Sequence, residues 1–358
     1  MNKQKSSQLH FIVGIGRSGT TILTKLLNEY KEIHCVPEAN FLLFFLYKFK
    51  HKKHFSEDDL NMIFDQIGIY YQSNPWIGWD FDYVSIKQTI QNKLLTNKTI
   101  EYQELCTLIY ANFKLKQINK EAANLIIDKN PSYSLFVKNI HTAFPNSKFI
   151  WIIRDYRANV LSWLQNPYLK ASNVAFNAIR WKLYNKEIYN FYTKNKTNVL
   201  LIKYEDLILN QEIEIQNIIN FLKVNSVLET NYLESTAIDV SNFSGSQEHK
   251  HIFFKKYTDL NQPLNSKRTE AWKVELNQSQ IKTCDVLCSG FSLKIGYKAI
   301  NKINFKDIII TNIVYIVPII NGYIDIYKDK LIYYVSIKLK LKKLKSRYLK
   351  LGLTKNQL

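Results

Sequence analysis

The sequence predicts a three-layer α/β fold in which a central, mostly parallel sheet is flanked by helices. Short apolar runs typical of buried strands recur at residues 11–13, 125–127, 148–153 and 199–202, and segments of helical periodicity separate them. Several of these runs lead directly into charged or glycine-rich residues. Because α/β folds place ligands at the carboxyl ends of their strands, those segments are the candidate sites.

The segment from Leu9 to Glu38 predicts a strand, an anion-binding loop and an amphipathic helix. The loop contains three glycines, at Gly14, Gly16 and Gly19. Glycines allow the tight turn that points successive N–H groups inward, and the positive end of the following helix attracts an anion. The loop also brings a fixed charge and hydroxyl donors, from Arg17, Ser18, Thr20 and Thr21.

The spacing from Gly14 to Gly19 is that of the ATP-binding P-loop, so the predicted fold is P-loop-like. Thr20, however, stands where that motif has the lysine that reaches the β- and γ-phosphates. A loop that holds a phosphate without this lysine favours a nucleotide with no γ-phosphoryl group to transfer. A nucleotide kinase or another P-loop phosphotransferase is the alternative that this substitution argues against.

Length and charge suggest a main domain and a basic extension. The 358 residues, 46% of them hydrophobic, are enough for a packed core. We expect a main domain over residues 1–300, with a helical insertion or lid at 51–124, and a basic, partly apolar C-terminal extension at 301–358. The net charge is +19, and the extension alone has twelve Lys/Arg against three Asp/Glu. The four cysteines are widely scattered and form no metal-ligand spacing, so no metal site is predicted.

Charged residues follow two further predicted strands. Asp128 and Lys129 come directly after the apolar run 125–127. Arg154 follows the run 148–153, and Ser162 falls two turns into the next helix. Placed at a strand–helix junction, an arginine fork and a serine hydroxyl can converge on one anion.

These motifs resemble those of sulfotransferases. The string Gly-x-x-Arg-Ser-Gly-Thr-Thr, which ends at Thr21, resembles their 5′-phosphosulfate loop, and Arg154 and Ser162 match the residues that grip the 3′-phosphate of 3′-phosphoadenosine 5′-phosphosulfate. The resemblance implies further nucleotide contacts from Tyr204, and from Lys267 or Arg268. Residues 1–300 would then be the catalytic domain.

The likeness is strongest to tyrosylprotein sulfotransferases, because the spacing from Arg17 to Glu38 and the segment Lys129-x-Pro131 both fit. In that branch the residue matching Glu38 is the catalytic base, and the residue matching Lys129 assists the leaving group. Arg17 would stabilise the negative charge that develops on this leaving group, and no metal would be needed. Tyr156 departs from the family, which commonly has proline or glycine there.

The acceptor is expected to be a hydroxyl of a glycan, a lipid, a tyrosine or a small molecule, and the sequence does not distinguish these. A non-enzymatic anion- or membrane-binding protein is the second alternative. It is suggested by residues 331–350, where Lys/Arg and Leu alternate as in an amphipathic helix on an anionic membrane. No nucleic acid partner is expected. Since MNKQKSSQ lacks an apolar region, we expect a cytoplasmic protein, with peripheral membrane association through the tail.

Overall fold

The computed structural model describes residues 8–36, 38–39, 41–73, 79–80, 83–97, 99–112, 114–115, 125–165, 173–224 and 266–338. Its main sheet is parallel throughout and confirms the predicted three-layer α/β fold. The five strands of this sheet are β1 (Gln8–Val13), β2 (Ile33–Val36), β5 (Leu125–Lys129), β6 (Phe149–Ile153) and β7 (Val199–Lys203). They lie in the order β2-β5-β1-β6-β7, so the first strand is central and its loop is flanked by β5 and β6.

Helices connect and cover these strands. They are α1 (Thr20–Leu27), α2 (Phe41–Phe49), α3 (Glu57–Ser73), α4 (Tyr83–Asn97), α5 (Tyr102–Ala111), α6 (Val137–Ala143), α7 (Tyr156–Leu164), α8 (Val174–Tyr192), α9 (Tyr204–Leu209), α10 (Gln211–Leu222), α11 (Lys267–Glu270), α12 (Trp272–Glu275), α13 (Gln278–Ser292), α14 (Phe305–Val314) and α15 (Ile316–Lys338). Single 3-10 turns lie at Pro131–Leu135, Lys196–Asn198 and Leu293–Ile295.

The central strands are apolar on both faces because both faces are covered. Phe11 and Val13 belong to a large core shared with α2, α5 and α8, whereas Ile12 belongs to a second core shared with α1 and α10. Alternate residues of one strand therefore enter two different cores. This is the arrangement that near-continuous apolar runs predict for parallel sheets.

The structure differs from the sequence prediction at two places. The described residues of 51–124 form the helices α3, α4 and α5, but also β3 (Trp79–Asp80) and β4 (Lys114–Leu115), which pair antiparallel and were not predicted. The sequence pattern from Ser134 to Phe144 predicts one helix, but the structure has a 3-10 turn followed by α6. The Asn130 side chain accepts a hydrogen bond from the Ser132 N–H, and Pro131 occupies the first position of the turn, so the tighter turn is fixed locally.

The described part of the C-terminal extension consists of two helices. α15 packs against α8 and α2, and it is bonded to α8 by Arg180–Asp325 (Nε to Oδ2, 2.9 Å) and Lys330–Glu187 (Nζ to Oε1, 2.5 Å). Among the described helices, none is by itself long and apolar enough to cross a bilayer; α14 and residues Ile316–Leu331 together reach that length and composition, but they are bent by 74°.

We predict that Gly14→Ala destabilises the fold, because Gly14 has a φ of 152° and a Cβ there would lie 2.3 Å from the Ile152 carbonyl oxygen. Backbone strain of this kind costs on the order of 1–3 kcal/mol. Gly290→Ala is the matched control, since a Cβ at this helical position meets no atom within 4 Å. The control should gain about 0.5–1 kcal/mol from helix propensity. Urea unfolding measures both, and equal midpoints for the two variants would contradict the prediction.

Candidate active site

The glycine loop after β1 is held against neighbouring elements at its first residue. The Gly14 N–H donates to Ser134 Oγ at 2.9 Å, across 120 residues of sequence. On the other side, the close approach of Gly14 to Ile152 of β6 leaves no room for a side chain. The loop therefore begins in a backbone position that only glycine fits, between β5 and β6.

The middle of the loop is joined to α7. Arg17 has a left-handed φ of 69°, and its Nε donates to Ser162 Oγ at 3.0 Å. The Asn159 amide, one turn earlier on α7, donates to the Gly16 carbonyl at 3.0 Å and to Ser18 Oγ at 3.1 Å. Two residues of one helix thus fix the loop that the sequence predicted to bind an anion.

The loop ends at the N-terminus of α1, where the cap residue has no side chain to bond the first N–H groups. Gly19 is the cap residue, with a φ of 93°, and it makes no side-chain cap bond. The first turn contains no acidic residue, and Thr20 and Thr21 begin the helix. Uncapped N–H groups at the positive end of a helix dipole bind anions.

Arg154 lies directly after β6 and is enclosed by the predicted nucleotide-binding residues. Its Nη2 donates to the Arg268 carbonyl at 2.6 Å and its Nη1 to the Arg17 carbonyl at 3.4 Å, while its guanidinium lies 4.4 Å from the centre of the Tyr204 ring. Burial lowers the pKa of this guanidinium from its usual range. Its buried Nε has no hydrogen-bond partner in the described structure, so it can donate to a bound anion.

The segment after β7 supports this arginine. A Cβ on Gly19 would lie 2.4 Å from the Tyr204 ring, so the ring is packed between the loop and Arg154. Glu205 accepts from the Asp155 N–H at 3.0 Å and from the Tyr297 hydroxyl at 2.6 Å. Tyr204 therefore faces the site, whereas Glu205 fixes the backbone that follows Arg154.

Lys129 and Glu38 form an ion pair at the carboxyl ends of β5 and β2. The Lys129 side chain is 7% exposed and that of Glu38 is 35% exposed, so the pair is accessible from the carboxylate side. Lys129 lies opposite Ile12 in the register of β1 and β5, two residues before the glycine loop. The structure thus places Glu38 and Lys129, two of the three residues that the resemblance implies to be catalytic, in contact beside the loop.

A buried carboxyl group lies behind this ion pair. Asp128 is fully buried and accepts a hydrogen bond from the Tyr110 hydroxyl, which lies 3.3 Å from that of Tyr133. Tyr133 in turn donates to the Ala39 carbonyl at 2.8 Å, one residue beyond Glu38. Burial raises the pKa of the Asp128 carboxyl to about 7, against the opposing effect of the two tyrosine hydroxyls.

Lys267 and Arg268 are the two nucleotide contacts that the resemblance implies near its C-terminal end. The Arg268 carbonyl lies at the site, and the charge of Arg268 also lowers the pKa of Arg154. Lys267 is the exposed neighbour of Arg268 on α11. Tyr156, the departure from the family, begins α7, and its hydroxyl donates to Asp285 Oδ1 at 2.5 Å. Tyr156 is therefore a buried structural residue, and its presence does not move Arg154 away from the site.

Sequence reasoning missed three supporting residues: Ser134, Asn159 and Trp181. The Trp181 indole donates to the Arg154 carbonyl at 2.9 Å. Of these three, only Asn159 could have been predicted from the sequence, because it lies three residues before Ser162 and therefore on the same helix face. Within the described residues, no three His, Cys, Asp or Glu side chains are grouped so that they could hold a metal ion.

Comparison with known proteins identifies this arrangement. The family model described as "Sulfotransferase family" matches residues 10–227, more than half of the chain. The chain is 28% identical over 263 residues to the "Putative protein-tyrosine sulfotransferase" of Caenorhabditis briggsae, covering 70% of this chain and 80% of that one. It is 22% identical over 229 residues to "Protein-tyrosine sulfotransferase 1" of Danio rerio, covering 62% of this chain and 54% of that one.

Two similar solved structures are sulfotransferase domains. The domain from the curacin biosynthetic pathway is 18% identical, with a TM-score of 0.48, covering 76% of this chain and 92% of the domain. The domain from the Synechococcus PCC 7002 olefin synthase is 18% identical, with a TM-score of 0.46, covering 77% of this chain and 91% of the domain.

We predict that Asp128 makes stability fall as pH rises. The pKa of its carboxyl is raised from 3.8 to about 7, so the folded state retains a proton that the unfolded chain has released. This contribution is complete below pH 4 and is lost as pH rises through 7. The free energy of unfolding of the wild type, relative to Asp128→Asn, should therefore fall by up to about 1.4 kcal/mol per pH unit between pH 4 and 7.

Urea unfolding of both proteins across this range measures the difference. Asp58→Asn is the control, because Asp58 is an exposed aspartate at the start of α3. Its curve should run parallel to that of the wild type. A parallel curve for Asp128→Asn as well would show that the buried carboxyl is not protonated in the folded protein.

Proposed function

This chain belongs to the sulfotransferase family, and we propose that it transfers a sulfuryl group from 3′-phosphoadenosine 5′-phosphosulfate to an acceptor hydroxyl. The observation that supports the donor most directly is the pair of anion-binding elements that meet at Arg17. Its side chain contacts Ser162, and its carbonyl contacts Arg154. A donor with phosphates at both its 5′ and 3′ positions needs two such elements side by side.

The residues present fit this donor. Ser18, Gly19, Thr20 and Thr21, at the uncapped start of α1, would hold the 5′-phosphosulfate. Arg154 and Ser162 would hold the 3′-phosphate, and the free Nε donor of Arg154 agrees with that role. Tyr204 and Arg268 enclose Arg154, and Lys267 lies beside them.

The proposed reaction is an in-line transfer in which Glu38 accepts the proton of the acceptor hydroxyl as its oxygen bonds to sulfur. The S–O bond to the leaving phosphate breaks, and its electron pair remains on that phosphate. Arg17 and Lys129 would stabilise the resulting negative charge, which is worth more in a partly desolvated site than in water. Lys129 contacts Glu38, so the proposed base and one of the two proposed charge-stabilising residues form one ion pair.

The acceptor proposal begins with tyrosine. The named relatives are protein-tyrosine sulfotransferases, which makes a tyrosine hydroxyl the first acceptor to test. Hydroxyls of glycans, lipids and small molecules are the other candidates. Helices α3 to α5 lie in the insertion at 51–124, and they would shape the acceptor pocket. A cytoplasmic location, and membrane contact through residues 331–350, also stay proposals.

We predict that Glu38→Gln lowers kcat by about 100- to 10,000-fold at saturating donor, because an amide cannot accept the hydroxyl proton. Formation of adenosine 3′,5′-bisphosphate in the presence of an acceptor measures the rate. Affinity for that product should change little, since Glu38 is not a nucleotide contact. Glu270→Gln, an exposed glutamate on α11, is the control and should keep full activity. Wild-type turnover in Glu38→Gln would remove the base assignment.

We predict that replacing Arg154, Arg268 or Lys267 by glutamine weakens the affinity for adenosine 3′,5′-bisphosphate, in decreasing order of effect. Arg154→Gln should weaken binding about 10- to 150-fold, which corresponds to a charged hydrogen bond of about 1.5–3 kcal/mol. Arg268→Gln should lose less, because its backbone rather than its side chain contacts Arg154, and Lys267→Gln should lose least. Calorimetric titration measures each Kd.

Thermal shift completes this test. Adenosine 3′,5′-bisphosphate should raise the Tm of the wild type, and Arg154→Gln should reduce that shift. A larger shift with ATP and Mg²⁺ would support a phosphotransferase instead. Unchanged affinity of Arg154→Gln for the bisphosphate would remove the 3′-phosphate assignment.

A further inference from the structure

α14 and the first part of α15 expose a large apolar surface. Twelve bulky apolar side chains, each between 42% and 76% exposed, lie within 27 consecutive residues. They are Phe305, Ile308, Ile309, Ile310, Ile313, Val314, Ile316, Val317, Ile320, Ile324, Tyr327 and Leu331, and we call them the outer apolar surface. Single exposed apolar residues are ordinary, but this many on two successive helices mark an interaction site.

This surface cannot be an unfilled part of the core, because α15 already has an inner face in place. Ile326 is 3% exposed, and a Cβ on Gly322 would lie 3.0 Å from Ile179 on α8. Ion pairs from α8 to Asp325 and Lys330 hold the same face. Val317, Ile320 and Ile324 lie on the opposite face at helical spacing, so docking α15 to the body leaves them outward.

α14 is apolar around most of its circumference. At 100° per residue, its exposed apolar positions from Phe305 to Val314 are spread over more than half of the helix surface, with Lys306 and Asn312 among them. Thr311 is its only buried residue. A second helix, whether from another protein or from a second copy, covers one stripe of a helix. A lipid interface covers a broad surface and needs no matching partner shape.

The charge of this region also favours lipid over a second copy. Within residues 301–331 the exposed charged side chains are Lys302, just before α14, Lys306 at its start and Lys328 on α15, whereas the three aspartates are half-buried. Asp307 and Asp325 are also neutralised by ion pairs with Lys282 and Arg180. A symmetric dimer through this surface would bring the exposed lysines of two copies together, whereas an anionic membrane supplies the opposite charge.

We propose that the outer apolar surface docks the protein onto an anionic lipid bilayer. Neither helix alone is both long and apolar enough to cross one, and the 74° bend between them suits insertion into a single leaflet. The isoleucines and valines enter the acyl boundary, and the lysines at the edge meet phosphate headgroups. This docking concerns a surface separate from the catalytic residues, so it is independent of the proposed reaction.

The test is co-sedimentation of the full chain with vesicles of phosphatidylcholine containing 30% phosphatidylglycerol, compared with pure phosphatidylcholine. The test variant is Ile313→Asp with Val317→Asp, two residues 67% and 63% exposed on the outer apolar surface. The control variant is Ile213→Asp with Val274→Asp, which are 62% and 88% exposed on α10 and α12. Each variant replaces one exposed isoleucine and one exposed valine by aspartate, so both add two negative charges.

We expect the wild type and the control to bind the anionic vesicles at least 10-fold more tightly than the test variant, and pure phosphatidylcholine to bind the wild type more weakly. Retention of Tm and of affinity for adenosine 3′,5′-bisphosphate shows that each variant is folded. Equal vesicle binding by all three proteins would overturn the proposal. A dimer of the wild type in sedimentation equilibrium, lost in the test variant while vesicle binding persists, would identify a second copy as the occupant instead.

Discussion

The hydrogen bonds between the glycine loop and α7 are the constraint on which the candidate site depends. Arg17 and Ser18 would otherwise lie on a short exposed loop, and side chains on loops lose conformational entropy when they bind. Asn159 and Ser162 fix the loop from one helix face. Because Arg154 lies between β6 and this helix, the same contacts set the distance between the two anion-binding elements.

The central position of β1 explains why these contacts form at all. Its neighbours in the sheet are β5 and β6, so the loop after β1 lies between the strand ends that supply Lys129 and Arg154. The sheet thus gathers three cationic side chains, of which Arg17 lies more than 100 residues before Lys129 and Arg154 in the sequence. Burying such charges is costly unless they are paired or bind anions. Lys129 is paired with Glu38, and Arg154 retains a free donor.

The glycine loop and α15 are connected through side chains of α7 and α8. Arg180 of this helix pairs with Asp325 of α15 and stacks on Trp163, 5.0 Å from its ring centre. The Trp163 ring lies 3.0 Å from where a Cβ on Gly16 would be. The helix that presents the outer apolar surface and the anion-binding loop therefore share one set of packed side chains. A rigid connection of this kind fixes the orientation of the site relative to that surface.

The sequence by itself determined the strand–loop–helix at 9–38, the buried strands after it, and the charged residues at their ends, because local periodicity and glycine spacing are properties of short segments. The catalytic roles of Glu38 and Lys129 were predicted only through the family resemblance, and their ion pair was not predicted. The short strands β3 and β4 and the 3-10 turn after Asn130 were missed, since a residue pair or a single turn has too weak a pattern. Tertiary structure alone decided the strand order, the contact of Arg154 with the Arg268 carbonyl, and which apolar face of α15 is exposed. The physical reason is that these features depend on packing between segments that are distant in sequence, and no local pattern encodes that packing.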